Sequence, residues 1–517
     1  MRRRVRSITL ATMVVMLVCC GAMAGEQSTA GKKLQIVLML GQGEMVGRGT
    51  LSTMGYMLQE PVVPPREVTL NAHKGMLHQP NGAYLYWQAM NAYGGPAQKK
   101  QELKRLIQER ADFKAAFKQQ VIAELEANEG VFRGKTYSKR RGAYRGFWLF
   151  NLCDEECEKE GYTPKIRAIL EAPDNAFNVE AAYDQIIADG AARYQRQLEL
   201  NQLYLKGTTP ADFAAYSEAV KARESAPDEM VAEEMRRVVV GLAEKHLHLP
   251  VAERTYIVAL GTVAGVAEGD SGNLASGKLS VGYGEGVDMV GLEYAAGLAL
   301  EQAVGAPILI VKCAWDDRRS IADFWRNPLK DGAATPGDPM AEPGWAWTRT
   351  EAHIKSVLTD PGRCHPDYDP KVGFEVAGVI WFQGSREPDN PAYAAQLASL
   401  LGDIRKTVES PDLPVVCVTV GGMYFKSESD DHPVNQGLRD VAAMPGFAGT
   451  IDVMDSYRWR ASEVALIQSM ARKRRMTPDA AMQAALRSAG EGTFNLLAGH
   501  EAGARLAELM NRDNGAE

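Results

Sequence analysis

The chain has 517 residues, enough for two domains or for one domain with a large insertion, and 45% of them are hydrophobic, as in a globular protein with a sizeable core. The formal net charge is −7. This acidity argues against nucleic acid and anionic lipid as the main partner, because both require a basic protein face.

The first 24 residues have the pattern of an export signal. Arginines at positions 2, 3, 4 and 6 precede an apolar run over Ile8–Gly21, and small residues then allow cleavage after Ala24. An N-terminal membrane anchor is the alternative, and Cys19 and Cys20 leave a lipoprotein signal open. No later stretch has the roughly 18 apolar residues that a membrane-spanning helix requires. We therefore expect a secreted or periplasmic protein with no membrane span after signal cleavage.

Short apolar runs rich in β-branched residues recur along the chain between glycine or proline residues. An uninterrupted run of this kind is typical of a strand that is buried on both faces of a parallel sheet. Helical patterns such as Leu292–Val304 and Asn390–Val408 lie between several runs. This alternation predicts a doubly wound α/β sheet, with strands over Leu34–Leu40, Tyr256–Gly261, Pro307–Ala314, Val376–Phe382, Leu413–Val420 and Thr450–Val453.

Residues 95–250 depart from this alternation. Apolar residues follow helical spacing between Leu103 and Ile122, and amphipathic stretches continue over Ala181–Tyr204, Ala211–Lys221 and Glu229–His246. We predict an α-helical insertion over 95–250, with the first part of the α/β domain over 25–94 and its remainder over 251–517. A last helix is predicted over Gly503–Asn511.

Five cysteines follow the predicted cleavage site, an odd number that does not indicate a disulfide-built scaffold. Cys313 and Cys417 lie within apolar runs and are expected in the core. Cys153 and Cys157 enclose three acidic residues, and we expect surface thiols or a local disulfide there. The segment Glu268–Asn273 contains Gly-Asp-Ser, which a hairpin turn explains better than a nucleophile.

A glycine-rich turn follows the first predicted strand, in IVLMLGQGEMVGRG over Ile36–Gly49. A strand, a turn and a helix in this order present a side chain and backbone N–H groups at the carboxyl edge of the sheet. Open α/β sheets bind ligands there, and α/β hydrolases hold their nucleophile there. The segment resembles the first block of the SGNH-type hydrolases, in particular the sialate O-acetylesterase-like carbohydrate esterases, at Gly41, Gln42, Met45, Gly47, Arg48 and Gly49.

Three later segments resemble further blocks of that family in the same order, over Pro307–Phe324, Gly378–Gly384 and Val415–Met423. The resemblance implies a three-layer α/β/α, flavodoxin-like parallel sheet of SGNH-hydrolase type, here with an α-helical insertion. It also implies an ancestral activity that removes acetyl or similar esters from carbohydrate. An acetylated glycan or other carbohydrate is therefore the expected partner, and no cofactor is expected.

The resemblance fails where the family carries its chemistry. The family has a serine nucleophile at the position of Gly43, and usually asparagine where Glu44 stands. It has Gly-Gly or Gly-Asn where this chain has Asp316 and Asp317, and an acidic residue where Ser385 follows the WFQG block. Carboxylates beside a developing oxyanion raise the barrier by like-charge repulsion.

The last block of the family supplies a histidine that takes the proton of the serine. The corresponding segment here offers Asn495 and Leu497, and its histidine, His500, comes several residues later. Since the loss of one triad member costs roughly 10⁴–10⁶ in rate, ordinary serine ester hydrolysis is not expected.

The leading hypothesis is a catalytically impaired relative that still holds a glycan or small polar ligand in its cleft. One alternative is an active ester hydrolase with re-sited catalytic groups, Ser385, His500 and Asp317. Another is an interaction protein that uses the helical insertion. The predicted cleft residues are Gln42, Gly43, Glu44, Asp316, Asp317, Gln383, Gly384 and Asn495.

Four carboxylates, Glu44, Asp316, Asp317 and Asp389, could meet if the geometry of the family holds. Such a cluster would bind a divalent cation or perform acid/base chemistry on a glycosidic bond. The simpler interpretation is that the paired aspartates form ion pairs with Arg318, Arg319 or Arg48. No metal site is therefore predicted.

Overall fold

The computed structural model describes residues 31–58, 93, 95–139, 143–144, 147–170, 172, 195–196, 198–224, 232–262, 274–315, 320–327, 344–420, 432–444, 449–451 and 491–513. The predicted signal segment, the acidic pair Asp316-Asp317 with its neighbouring arginines, and the Gly-Asp-Ser turn lie outside these residues.

Within the described residues, seven strands form one sheet in the order β11-β10-β9-β1-β8-β5-β6. Every neighbouring pair is parallel except β5 with β6. Two further sheets of the described residues have two strands each, β2 with β7 and β3 with β4. The strands are β1 (Leu34–Gln42), β2 (Gly49–Thr50), β3 (Val131–Phe132), β4 (Lys135–Thr136), β5 (Thr255–Gly261), β6 (Leu274–Lys278), β7 (Met289–Val290), β8 (Ile308–Trp315), β9 (Phe374–Phe382), β10 (Val415–Val418) and β11 (Thr450–Ile451).

The six apolar runs all contain strands, and the mostly parallel α/β class predicted from them is confirmed. β1 lies in the middle of the sheet, with Gly41 opposite Phe382 of β9 and Ala314 of β8. Continuous burial of β1 and β8 on both faces explains why their sequences are apolar without alternation.

The helices of the described residues are α1 (Leu51–Met54), α2 (Ala97–Ala127), α3 (Phe147–Lys159), α4 (Tyr162–Leu170), α5 (Pro210–Glu224), α6 (Ala232–Leu247), α7 (Leu292–Val304), α8 (Ile321–Phe324), α9 (Trp345–Thr359), α10 (Tyr393–Thr407), α11 (Pro433–Ala442) and α12 (Glu491–Asp513). α7 packs along α12, whereas α9 contacts α10 and α10 contacts α11. These two helix groups and the sheet make the three layers.

The last helix is longer than predicted. α12 begins at Glu491, twelve residues before the predicted start at Gly503. A Cβ at Gly499 would overlap the carbonyl oxygen of Leu292, and one at Gly503 would overlap that of Ala296. The low helix propensity of glycine is therefore offset by the close packing of α12 on α7.

The helices α2 to α6 all fall within the predicted insertion, whose boundaries at residues 95 and 250 stay a prediction. Their apolar side chains form small clusters of their own around Leu103 and around Phe117. A further cluster joins α5 and α6 to α1 and α7, through residues such as Phe213, Val239 and Tyr294.

The expectation of surface thiols at positions 153 and 157 was wrong. Cys153 and Cys157 are free and fully buried on α3, where burial raises the pKa of both thiols. They lie one turn apart on the helix face that meets α2, beside the buried ion pair of Arg110 with Asp154 at 2.9 Å. Cys313 and Cys417 are core residues as predicted, with thiol pKa values raised by burial to about 12.

Among the described helices, none combines the length and the apolar character that crossing a membrane requires.

Candidate functional site

The turn that follows β1 is closed and tightly held. Gln42, the last residue of the strand, is 1% exposed, and its Oε1 accepts a hydrogen bond from Trp325 Nε1 at 3.0 Å. A short 3₁₀ turn over Gly43–Met45 follows, closed by the Val46 N–H, which donates to the Gly43 carbonyl at 3.1 Å. Gly43 has φ +59°, in the left-handed region that glycine adopts without strain. The position where the resemblance implies a serine thus combines a special backbone conformation with no side chain.

A fully buried ion pair lies beneath this turn. The Lys312 ammonium on β8 donates to the Val46 carbonyl at 3.0 Å, to the Tyr283 carbonyl at 2.8 Å and to Glu293 Oε2 at 2.8 Å. Glu293 Oε1 accepts from the Gly291 N–H at 3.0 Å. Burial lowers the pKa of Lys312, and the nearby carboxylate opposes that shift. Because all three ammonium hydrogens have partners, the pair fixes the turn to β8 and to the start of α7.

The end of β9 forms a second network beside the first. Gln383 is 1% exposed, and its Nε2 donates to Glu387 Oε1 at 2.8 Å, while its Oε1 accepts from Tyr393 OH at 2.7 Å. Glu387 also accepts from the Ile321 N–H at 2.6 Å and from Asn390 Nδ2 at 2.6 Å. The amide of Gln383 is therefore engaged at both ends and supports the edge of the sheet.

Trp325 connects the two strand ends. Its indole donates to Gln42 and packs edge-on against Trp381 of β9, with ring centroids 5.0 Å apart. Trp381 Nε1 in turn donates to Tyr393 OH at 3.1 Å. The predicted cleft residues Gln42 and Gln383 thus belong to one connected assembly at the carboxyl edge, where open α/β sheets bind ligands.

Gly384 and Ser385 follow Gln383 at the same edge. Gly384 has φ +129°, and a Cβ there would overlap Val434 on α11, so the close approach of α11 requires glycine. Ser385 is buried, at 6% exposure. Glu44 is partly exposed in the first turn after β1.

Of the three residues predicted to be catalytic if the protein is active, the structure describes Ser385 and His500 but not Asp317. His500 lies on α12, and its Nδ1 is 2.7 Å from Tyr204 OH. Burial lowers the pKa of His500, with a further contribution from Arg196, and burial raises the pKa of Tyr204. Tyr204 OH also donates to the Ala295 carbonyl at 3.4 Å, so the tautomer of His500 decides which group donates between the two side chains. Asn495 also lies on α12, and its side chain is outside the described part.

Three groups at this edge were missed in the sequence. Trp325 and the Lys312–Glu293 pair hold the turn after β1, and a lone lysine within an apolar strand was the available signal for the pair. His432 was not among the predicted site residues. It is 6% exposed, and its Nδ1 is 3.5 Å from Asp389 Oδ1. Arg48 forms an ion pair with Glu285 at 2.5 Å.

No group of three or more histidine, cysteine, aspartate or glutamate side chains suited to a metal ion occurs within the described ranges. The acidic cluster considered above includes Asp316 and Asp317, so its existence stays untested.

A family model described as "Carbohydrate esterase, sialic acid-specific acetylesterase" matches residues 344–452. This range begins just before α9 and includes β9, β10 and α11, and therefore Gln383, Ser385, Asp389 and His432. No curated protein matches the chain in sequence.

Among solved structures, the chain is similar in part to XAC1771, a carbohydrate acetylesterase from Xanthomonas citri, with 14% identity and a TM-score of 0.28. The similar region covers 43% of this chain and 49% of that enzyme, so the chain spans about half of its length. A protein from Arabidopsis thaliana has 13% identity and a TM-score of 0.27, over 49% of this chain and 81% of its own. NanS has 12% identity and a TM-score of 0.28, over 52% of this chain and 90% of its own.

Proposed function

We propose that this chain, a member of the sialate O-acetylesterase-like superfamily of carbohydrate esterases by the family match over residues 344–452, binds an acylated carbohydrate at the carboxyl edge of its sheet. We further propose that the turn after β1 contributes to the binding site but not to ester hydrolysis. The protein is thus impaired in the serine reaction that the family resemblance implies at this turn.

The main support for this proposal is that neighbouring side chains hold the turn at Gly43 in place, while Gly43 itself has no nucleophilic side chain. The turn is held by Trp325 through Gln42 and by Lys312 through the Val46 carbonyl. Gly43 itself has no hydroxyl group, so no acyl intermediate can form there. Loss of a nucleophile costs roughly 10⁴–10⁶ in rate, while binding contacts elsewhere in a cleft remain.

His500 supports the same interpretation. Its Nδ1 is occupied by Tyr204 OH, a residue of the helical region, at 2.7 Å. This contact joins α12 to the helical region, and we assign His500 a structural role there.

Calorimetric titration with O-acetylated sialic acid and with unmodified sialic acid tests the binding proposal. Trp325→Phe keeps an aromatic ring and removes the Nε1 donor to Gln42. Because Gln42 then loses the donor that holds its amide in the cleft, this variant is expected to bind the ester about 5-fold more weakly, which corresponds to about 1 kcal/mol.

Trp347→Phe is the matched control. Trp347 on α9 is equally buried, and its Nε1 has no hydrogen-bond partner among the described residues. The control is expected to bind like the wild type. Absence of saturable binding by the wild type, or equal weakening by both substitutions, would reject the proposed cleft.

We also propose that the protein is exported through residues 1–24, on the basis of their charge and apolar pattern. Expression of the full chain followed by cell fractionation and N-terminal sequencing tests this. The mature protein is expected outside the cytoplasm with Gly25 as its first residue. An intact N-terminus on a cytoplasmic protein would reject export.

A second candidate, ester hydrolysis by groups other than the turn after β1, is favoured by one observation. Asp389 faces the buried His432 in the loops that follow β9 and β10.

A further inference from the structure

The loop that follows β9 meets the start of α11, the helix that comes after β10 in the chain, at the carboxyl edge of the sheet. The two strands are parallel neighbours, with Trp381 opposite Cys417, so the residues after each strand emerge side by side. Gly384 lies against Val434, and the Val434 N–H donates to the Pro388 carbonyl at 3.2 Å. Residues 384–388 and 432–434 are therefore in direct contact.

This contact places an imidazole and a carboxylate together. His432 Nδ1 is 3.5 Å from Asp389 Oδ1, and the imidazole is 6% exposed whereas the aspartate is 56% exposed. In serine hydrolases the carboxylate acts on Nδ1 and orients the ring, which leaves Nε2 to take a proton from a hydroxyl. The ring nitrogen that faces Asp389 is thus the one that this chemistry requires.

Ser385 supplies the hydroxyl in the same loop. It lies between Gly384, which contacts Val434, and Pro388, which bonds the Val434 amide. Its loop is fixed at both ends, because the Glu387 N–H donates to the Gly384 carbonyl at 3.0 Å and the Glu387 carboxylate binds Gln383. A fixed loop favours catalysis, because a positioned nucleophile avoids the entropy cost of orientation.

We infer that Ser385, His432 and Asp389 form a hydroxyl–imidazole–carboxylate set that hydrolyses an acyl ester of a carbohydrate hydroxyl group. The inference rests on the proposed ligand-binding cleft and assigns its reaction to the loops after β9 and β10. The three residues come from one loop after β9 and one after β10, two strands that neighbour each other on the same side of β1.

The reaction balances with water as the only co-reactant. Ser385 Oγ forms a bond to the ester carbonyl carbon while its proton passes to His432 Nε2. The bond between that carbon and the sugar oxygen breaks, and the sugar hydroxyl leaves with the proton. Water then adds to the acylated Ser385 while its own proton passes to His432. The acid is released, and Ser385 recovers its proton.

Covalent labelling of the full-length protein by a p-nitrophenyl phosphonate tests this assignment without knowledge of the natural substrate. The phosphonate forms a stable bond to an activated serine and releases p-nitrophenol. Intact mass and peptide mapping are expected to give one adduct, on Ser385. Labelling should be absent in Ser385→Ala, about 100-fold slower in His432→Gln, and about 10-fold slower in Asp389→Asn.

Two matched substitutions serve as controls. Ser356→Ala removes an exposed hydroxyl on α9 that accepts from Arg363. His365→Gln alters a buried imidazole that bonds the Arg254 carbonyl, next to the start of β5 and so at the opposite edge of the sheet. Both are expected to label at the wild-type rate. Circular dichroism and the melting temperature establish that each variant is folded.

Absence of an adduct on the wild type, an adduct on another residue, or a rate unchanged by His432→Gln would overturn the inference. The binding titration with O-acetylated sialic acid separates this outcome from failure of the proposed function. Binding without labelling would reject only the proposed catalytic residues. Labelling without binding would reject only the proposed carbohydrate ligand.

Discussion

Lys312 and Glu293 form an ion pair in which both side chains are fully buried, with Nζ and Oε2 2.8 Å apart. The pair connects the central strand β8, the start of α7 and the turn after β1, because Nζ also donates to the Val46 carbonyl. Burying two charges is costly unless each is paired and hydrogen-bonded. The pair therefore contributes more to the position of the turn than to net stability.

Replacement of Lys312 by methionine tests this role. Lys312→Met keeps the length of the side chain but leaves the Glu293 carboxylate buried without its cation. The free energy of unfolding in urea is expected to fall by about 3–5 kcal/mol. The double variant Lys312→Met/Glu293→Leu should recover at least about half of that loss. A loss below about 1 kcal/mol in the single variant would contradict the account.

Gly43→Ser tests whether the turn after β1 needs only a hydroxyl to become active. The left-handed φ of Gly43 costs a non-glycine residue about 1 kcal/mol, so the variant should be slightly less stable. Its hydrolysis of p-nitrophenyl acetate is expected to match the wild type within about 2-fold, since a serine without a base is a weak nucleophile. A gain of about 100-fold would mean that the remaining machinery of the ancestral site is intact.

His353 on α9 should make the stability of the fold depend on pH. Burial lowers the pKa of His353 to about 4, and its Nε2 has no hydrogen-bond partner among the described residues. The unfolded chain therefore binds a proton that the folded chain does not bind between about pH 6.5 and 4. Stability is lost as pH falls through that window, by up to about 3 kcal/mol.

Urea unfolding of the wild type and of His353→Gln at several pH values measures this contribution. The difference in unfolding free energy between the two proteins should change between pH 7 and 4 and stay constant above pH 7. Carboxylates titrate in both proteins and cancel in the comparison. A difference that is constant across the whole range would contradict the assignment.

His500 is expected to contribute to stability and not to any hydrolysis. Tyr204→Phe removes the hydroxyl group that bonds His500 Nδ1 and should cost about 1–2 kcal/mol, because it leaves a buried ring nitrogen without its hydrogen-bond partner. His500→Gln should lower the melting temperature similarly, and leave phosphonate labelling unchanged at a temperature where the protein is folded. Loss of labelling in a folded His500→Gln variant would indicate that His500 takes part in catalysis.

The strands of the sheet could be predicted because burial on both faces requires continuous apolar runs, as in Leu34–Gln42. The start of α12 could not, because Gly499 reads locally as a helix breaker and its reason, contact with Leu292, is tertiary. The same limit applied to Cys153 and Cys157, whose charged neighbours suggested a surface. Of those charges, Asp154 instead forms buried ion pairs with Arg110 and Lys114 of α2.

The motifs predicted that the turn after β1 and the end of β9 lie close together, and β1 and β9 are indeed neighbouring strands. The pairing of His432 with Asp389 was not predicted, because it depends on which strand lies beside β9, and the sequence alone does not give the order of strands. Trp325 was missed for a similar reason. It lies 283 residues after Gln42 in the chain, and only the fold brings its indole to the end of β1.

The most direct measurement of the central claim is a crystal structure of the protein in complex with O-acetylated sialic acid. We expect the ligand to bind at the carboxyl edge, between the Gly43 turn and the Ser385 loop. Its ester carbonyl carbon should lie closer to Ser385 Oγ than to any atom of Gly43. A ligand bound away from this edge, or one whose ester faces Gly43 and a histidine other than His432, would contradict the central claim.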